Sequence, residues 1–134
     1  MLKEKETQLG SGECMPEPDY AGTYTMVDTV YLMQSKDYKT RFIAEYVQLK
    51  IRYERLKHLL NKWQAFNNKF YDYSKEPVSD EQSMKDFIDW LGFLPSCSFR
   101  LLKTQQEQME ELLHTLEVRA EIEGINLTKV TIQL

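Results

Sequence analysis

The residues able to do chemistry in this chain are few, and their spacing points to binding. Nine basic side chains stand between residues 36 and 69 (Lys36, Lys39, Arg41, Lys50, Arg52, Arg55, Lys57, Lys62 and Lys69) against three acidic ones. That segment therefore carries +6. The whole chain sums to -4, so the remainder carries -10. Arg52 and Arg55, three apart and so neighbours on a helix, are the best pair for a phosphate or carboxylate. With Tyr53 and Lys57 they make one candidate anion pocket, to be completed at an oligomer interface. Taken with Lys50 and Lys62, however, these cations fall on both sides of the apolar seam, not along the one stripe that tracking a nucleic acid requires.

The acidic counterpart is the segment 104–123, where Glu107, Glu110, Glu111, Glu117, Glu121 and Glu123 face Arg119 alone. One reading is an antiparallel hairpin whose basic and acidic helices flank a common seam with opposite charge. The other is an acidic surface that mimics nucleic acid toward a basic groove on a partner. Aromatic residues Trp63, Phe66, Phe70, Tyr71, Tyr73, Phe87, Trp90 and Phe93 cluster around the helix ends. They either pack one end of a bundle or present a platform to a partner protein, since interface centres favour such side chains. The candidate partner surface is Phe70, Tyr71, Tyr73, Phe87 and Trp90 with Glu107, Glu110 and Glu111.

Signs of catalysis are sparse. His58 and His114 each follow a glutamate by four residues (Glu54 and Glu110), a pairing usual on solvated helix faces and short of a metal site. The chain has no phosphate-binding glycine loop, dinucleotide fingerprint, nucleophile elbow or paired-cysteine motif. Cys97 precedes a helix without an adjacent base and reads as a buried or capping residue. The expectation is a non-enzyme with no cofactor and no metal.

The elements that must position these groups follow from periodicity. Residues 1–34 read as a flexible or strand-forming arm, and Thr23–Leu32, with strand-favouring residues but no clean alternation, reads as a short strand or a helical turn. A helical domain over 35–127 follows, with helices at about 37–67, 80–91 and 98–123. The first opens at a Ser35 or Asp37 cap. Its apolar positions Phe42, Tyr46, Leu49, Tyr53, Leu56, Leu60 and Trp63 are spaced 4, 3, 4, 3, 4, 3, and Ile43, Val47, Ile51 and Leu59 widen the stripe. Ser79–Gln82 reads as a capping box for the short helix, which Gly92 and Pro95 close. The last helix carries Leu102, Met109, Leu112, Leu113, Leu116 and Ala120, with Gln105 interrupting, and Gly124 ends it. Thr128–Leu134 alternates as a strand, to be paired with the arm or with another subunit. The fold class is thus mainly α: a long antiparallel helical hairpin with a short third helix, an N-terminal arm and a short C-terminal strand.

Composition narrows the class further. A chain of 134 residues with 42% hydrophobic and 12% aromatic residues is one domain's worth of core. Its net charge of -4 argues against a general nucleic-acid binder, and two cysteines make no disulfide framework. The charged opening Met1–Glu6 has no apolar run of the secretory kind, and no apolar stretch is long enough to span a bilayer. The expected location is the cytoplasm.

Particular residues carry a resemblance. They are Arg41-Phe42, Glu45-Tyr46, Leu49, Arg52-Tyr53 and Leu56, then Cys97, Leu101-Leu102, Gln105, Met109 and Leu113-His114, and the run Leu116–Ile125. Over residues 37–66 and 97–127 the chain resembles small proteins of phages and prophages of gut bacteria, related to a crAss-like phage protein. Ser98 stands where those relatives usually have Pro, and Leu112 where they usually have Tyr. The resemblance transfers no catalytic residue. It implies an accessory protein of the host bacterial cytoplasm acting by stoichiometric binding. The reading adopted from it is an anti-CRISPR-type inhibitor whose partner is a host defence effector, a homo-oligomer touching neither nucleic acid nor membrane. Its alternatives are a sponge for a cyclic-nucleotide immune signal, or a structural or regulatory phage protein.

Overall fold

The computed structural model describes residues 20–70 and 81–134. Tyr71, Tyr73 and the capping residue Ser79 lie outside them. The chain runs β1 (Gly22–Tyr24), α1 (Met26–Met33), α2 (Tyr38–Phe70), α3 (Glu81–Leu91), α4 (Phe99–Glu123) and β2 (Val130–Ile132). It is mainly helical, and α2 is its axis. At 1.5 Å per residue its 33 residues extend about 50 Å.

Two faces of α2 are buried, as the wide apolar stripe requires. Phe42, Tyr46, Leu49 and Tyr53 are buried along the heptad seam in one cluster with Met109, Leu113, Leu116 and Ala120 of α4, and Leu60 is buried further along. Ile43, Val47 and Ile51 are wholly buried on the adjoining face, which α1 and β2 cover. One helix cannot cover a stripe that wide, so the segment before α2 supplies the second layer.

That segment is more helical than the short strand or helical turn expected from the sequence. Of Thr23–Leu32 only the first residues form a strand, and the rest is helix. The reason is local chemistry: Thr25 Oγ1 accepts from the Asp28 amide (3.3 Å) and the Asp28 carboxylate accepts from the Thr25 amide (2.8 Å), a complete capping box. Thr29, 1% exposed, satisfies its hydroxyl on the Met26 carbonyl at 2.6 Å. A cap that strong overrides the β preference of Val27 and Val30.

Both capping candidates before α2 are used. Asp37 accepts from the amide and hydroxyl of Thr40 at 3.0 and 2.7 Å, while Ser35 Oγ accepts from the Asp37 amide at 3.1 Å. Ser98 caps α4 through the Leu101 amide at 3.2 Å, so Cys97 beside it is exposed and neither buried nor a cap. Gly124 ends α4 at φ 72°, and the Ile125 amide reaches back to the Ala120 carbonyl at 2.7 Å. With Ile125 buried, this is a Schellman ending that turns the chain back over the core.

β2 then pairs with β1 of the same chain, in parallel, with Thr23 beside Thr131 and their hydroxyls 2.8 Å apart. The parallel sense follows from topology, because the entire helical body is the crossover between the strands. The alternation seen in the sequence places Val130 and Ile132 against the core.

Candidate functional site

The basic residues of α2 sort by helical angle. Arg52, Arg55 and Lys62 are exposed, and successive steps of three and seven keep them within one outward arc of about 100°. Lys50 and Lys57 are half-buried on the other flank, so the five cations do not make one stripe, but these three share a face. Arg52 and Arg55 enter no ion pair among the described residues. Two exposed guanidiniums one turn apart, with no carboxylate engaged among the described residues, suit a phosphate in the fork geometry of arginine.

Tyr53 and Lys57 are not part of that face. Tyr53 is 8% exposed in the α2–α4 seam, and the Lys57 ammonium sits 5.8 Å from its ring centre on the same flank. The structure thus divides the four anion-pocket candidates into an outward pair and a seam pair. One helix cannot aim positions 52 and 53, about 100° apart, at a common ligand.

The aromatic candidates form an end cap. Trp63 meets Phe87 and Phe99 edge-on at 5.3 and 5.4 Å, and Phe66 meets Phe87 at 5.2 Å. The Trp90 indole donates to the Lys62 carbonyl at 2.7 Å, and its ring lies under the Lys69 ammonium at 5.6 Å. Phe87 and Trp90 are half-buried and occupied in holding α3 on α2. Phe70 closes α2, and Tyr71 and Tyr73 lie outside the described residues. Among the described residues of this end, Met84, Phe93 and Leu94 are large apolar side chains left exposed.

Glu107, Glu110 and Glu111 are exposed on α4. Among the described residues the opposite charges flanking the hairpin do not close into ion pairs between helices. The ion pair between described residues lies within α4, Arg119 to Glu123 at 4.0 Å. Where the helices do meet through polar groups, Arg119 donates to the Tyr38 hydroxyl, which donates to Glu123 at 3.0 Å. The Arg119 guanidinium also covers the Phe42 ring at 5.0 Å. His58 and His114 are exposed, and no metal-holding cluster occurs among the described residues.

One open cavity of about 390 Å³ lies where α4 turns into β2, lined by Tyr46, Glu117, Glu121, Ile125 and Thr128 among others. Burial, and then the nearby Glu117 charge, push the Tyr46 hydroxyl above its ordinary range. Two glutamates on its wall make this cavity a poor host for an anion. Sequence reasoning missed it, because it depends on the return of residues 125–128 over α4, which no spacing announces.

A family model described as Sequestin matches residues 36–82, which take in all of α2 and the first two residues of α3. No curated protein and no solved structure matches the chain. No described helix is long and apolar enough to cross a membrane.

Proposed function

We propose that the protein is a non-enzymatic sponge that sequesters a nucleotide immune signal, as part of a phage's defence against its bacterial host. The observation that carries this is where the Sequestin match falls: on the basic helix, not on acidic α4. The family's name and sponge-type character support sequestration of an immune signal. The net +6 of residues 36–69 supports an anionic one. Arg52 and Arg55 would contact phosphate, with Lys62 extending the positive face. The rival reading, an inhibitor of the anti-CRISPR type with an aromatic recognition surface, has less support, because Phe87 and Trp90 are spent on packing.

Sequestration needs affinity and no bond breaking. A thermal-shift screen against cyclic di- and trinucleotides tests the proposal. A ligand at one hundred times its Kd stabilises by about 2.7 kcal/mol, or roughly 10 °C for a chain of this size. A rise with one cyclic nucleotide, abolished in the Arg52→Glu/Arg55→Glu double variant, is expected. Melting unchanged by every member of the panel would refute it.

A further inference from the structure

The polar lining of the cavity where α4 turns into β2 consists largely of hydrogen-bond acceptors. Glu117 and Glu121 stand on its wall one turn of α4 apart, about 6 Å of rise. Among the described residues neither carboxylate enters an ion pair or a hydrogen bond. The Thr128 hydroxyl already donates to the Asn126 side-chain oxygen, which leaves its own lone pairs to accept. The rest of the wall is apolar, made of Ala120, Ile125 and Leu127.

Tyr46 is a separate sign that the cavity takes a ligand. It is 7% exposed, it lines the same cavity, and its hydroxyl has no hydrogen-bond partner among the described residues. Its ring is sealed in the α2–α4 seam, so the cavity is where that hydroxyl can find a partner. The Glu117 charge acts on it from across the gap without a hydrogen bond between them. A buried hydroxyl left unsatisfied is costly, and a donor seated between phenol and carboxylate satisfies both.

We infer that this cavity binds an aliphatic diamine or polyamine, with one ammonium between Tyr46 and Glu117 and the next beside Glu121. The methylene stem lies along Ala120, Ile125 and Leu127. Hydrogen bonding, charge and size agree. An ammonium carries three donors and no acceptor, the complement of this lining. Two positive charges one helical turn apart answer the spacing of the two glutamates, and a methylene stem suits the apolar wall. A bare metal ion fits less well, because no cluster of three metal-binding side chains occurs among the described residues. The volume of about 390 Å³ is that of a small-molecule site. Arg52 and Arg55 stand about 120° and 180° around α2 from Tyr46, so the amine site is distinct from the arginine face. The inference does not rest on the sponge reading.

Isothermal titration of the full chain with putrescine and spermidine, at fixed ionic strength and pH 7, tests it. Saturable binding of at least one of the two is expected. Glu117→Gln/Glu121→Gln is expected to weaken it at least about tenfold and Tyr46→Phe about fivefold, the losses of charged and neutral hydrogen bonds. Both variants should keep the helical circular dichroism, since the glutamates are exposed and Phe fills the Tyr46 ring site. Glu81→Gln/Asp89→Asn removes the same charge from α3 and should leave the affinity within about twofold. No saturable binding of either amine up to about 10 mM would overturn the inference. So would equal weakening by the α3 variant, or displacement of the amine by an equal concentration of Mg²⁺.

Discussion

Asp37 shows how much one side chain can do at the start of α2. The Thr40 hydroxyl, followed by the Thr40 and Lys39 amides, holds its carboxyl below the usual 3.8 against the opposing effect of burial. A carboxylate depressed in the folded state adds stability that is present above its unfolded pKa and is lost as pH falls below it. Asp37→Ala is therefore expected to cost about 1 kcal/mol at pH 7. Below about pH 4 that difference should shrink, which urea titrations at several pH values would check. Tyr46 acts in the opposite direction on the pH scale. Its raised hydroxyl pKa means that stability falls as pH rises past 10, and Tyr46→Phe should remove that loss. Both effects depend on neighbours in space. The sequence offers Asp37 as a cap, but gives no sign that Glu117 lies near Tyr46, 71 residues away.

At the scale of elements, the helices were the legible part. The 4, 3, 4, 3 spacing of Phe42 to Trp63 locates α2, and the same rule locates α4 to within a residue at each end. What the spacing does not reveal is what covers the second face of α2. That depends on α1, whose eight residues form a helix because Thr25 and Asp28 cap each other while Thr29 and Met26 turn inward. Periodicity over eight residues is too short to outweigh strand propensity. Gln105 also misled: the polar residue within the seam is Gln106, 6% exposed, its amide oxygen 3.4 Å from the Lys103 ammonium. Two predictions belong here. Thr25→Ala should destabilise by about 1 kcal/mol through the lost cap. Ile43→Ala, at the face α1 covers, should cost about 2–5 kcal/mol in urea unfolding. If the two changes in combination cost much less than their sum, α1 releases as a unit and the Ile43 face is already open in the single variant.

Across the whole molecule, charge divides more sharply than the hairpin reading anticipated. Basic and acidic helices lie side by side with no ion pair between them among the described residues, so their opposite signs do little to hold that part of the fold together. The division matters at the surface instead, where the outward arc of α2 offers Arg52, Arg55 and Lys62, and α4 offers glutamates. The sequence exposes the imbalance as arithmetic, +6 against -10. It does not reveal that Tyr53 and Lys57 turn into the seam while the arginines turn out. The sponge reading rests on that outward face and on the family match across it.

Isothermal titration of the chain with cyclic di- and trinucleotides, followed by denaturation and mass analysis of the released ligand, tests the reading most directly. Saturable binding of one nucleotide is predicted, weakened at least tenfold by Arg52→Glu with Arg55→Glu, with the ligand recovered chemically intact. Absence of binding to every nucleotide, or recovery of a cleaved product, would contradict it.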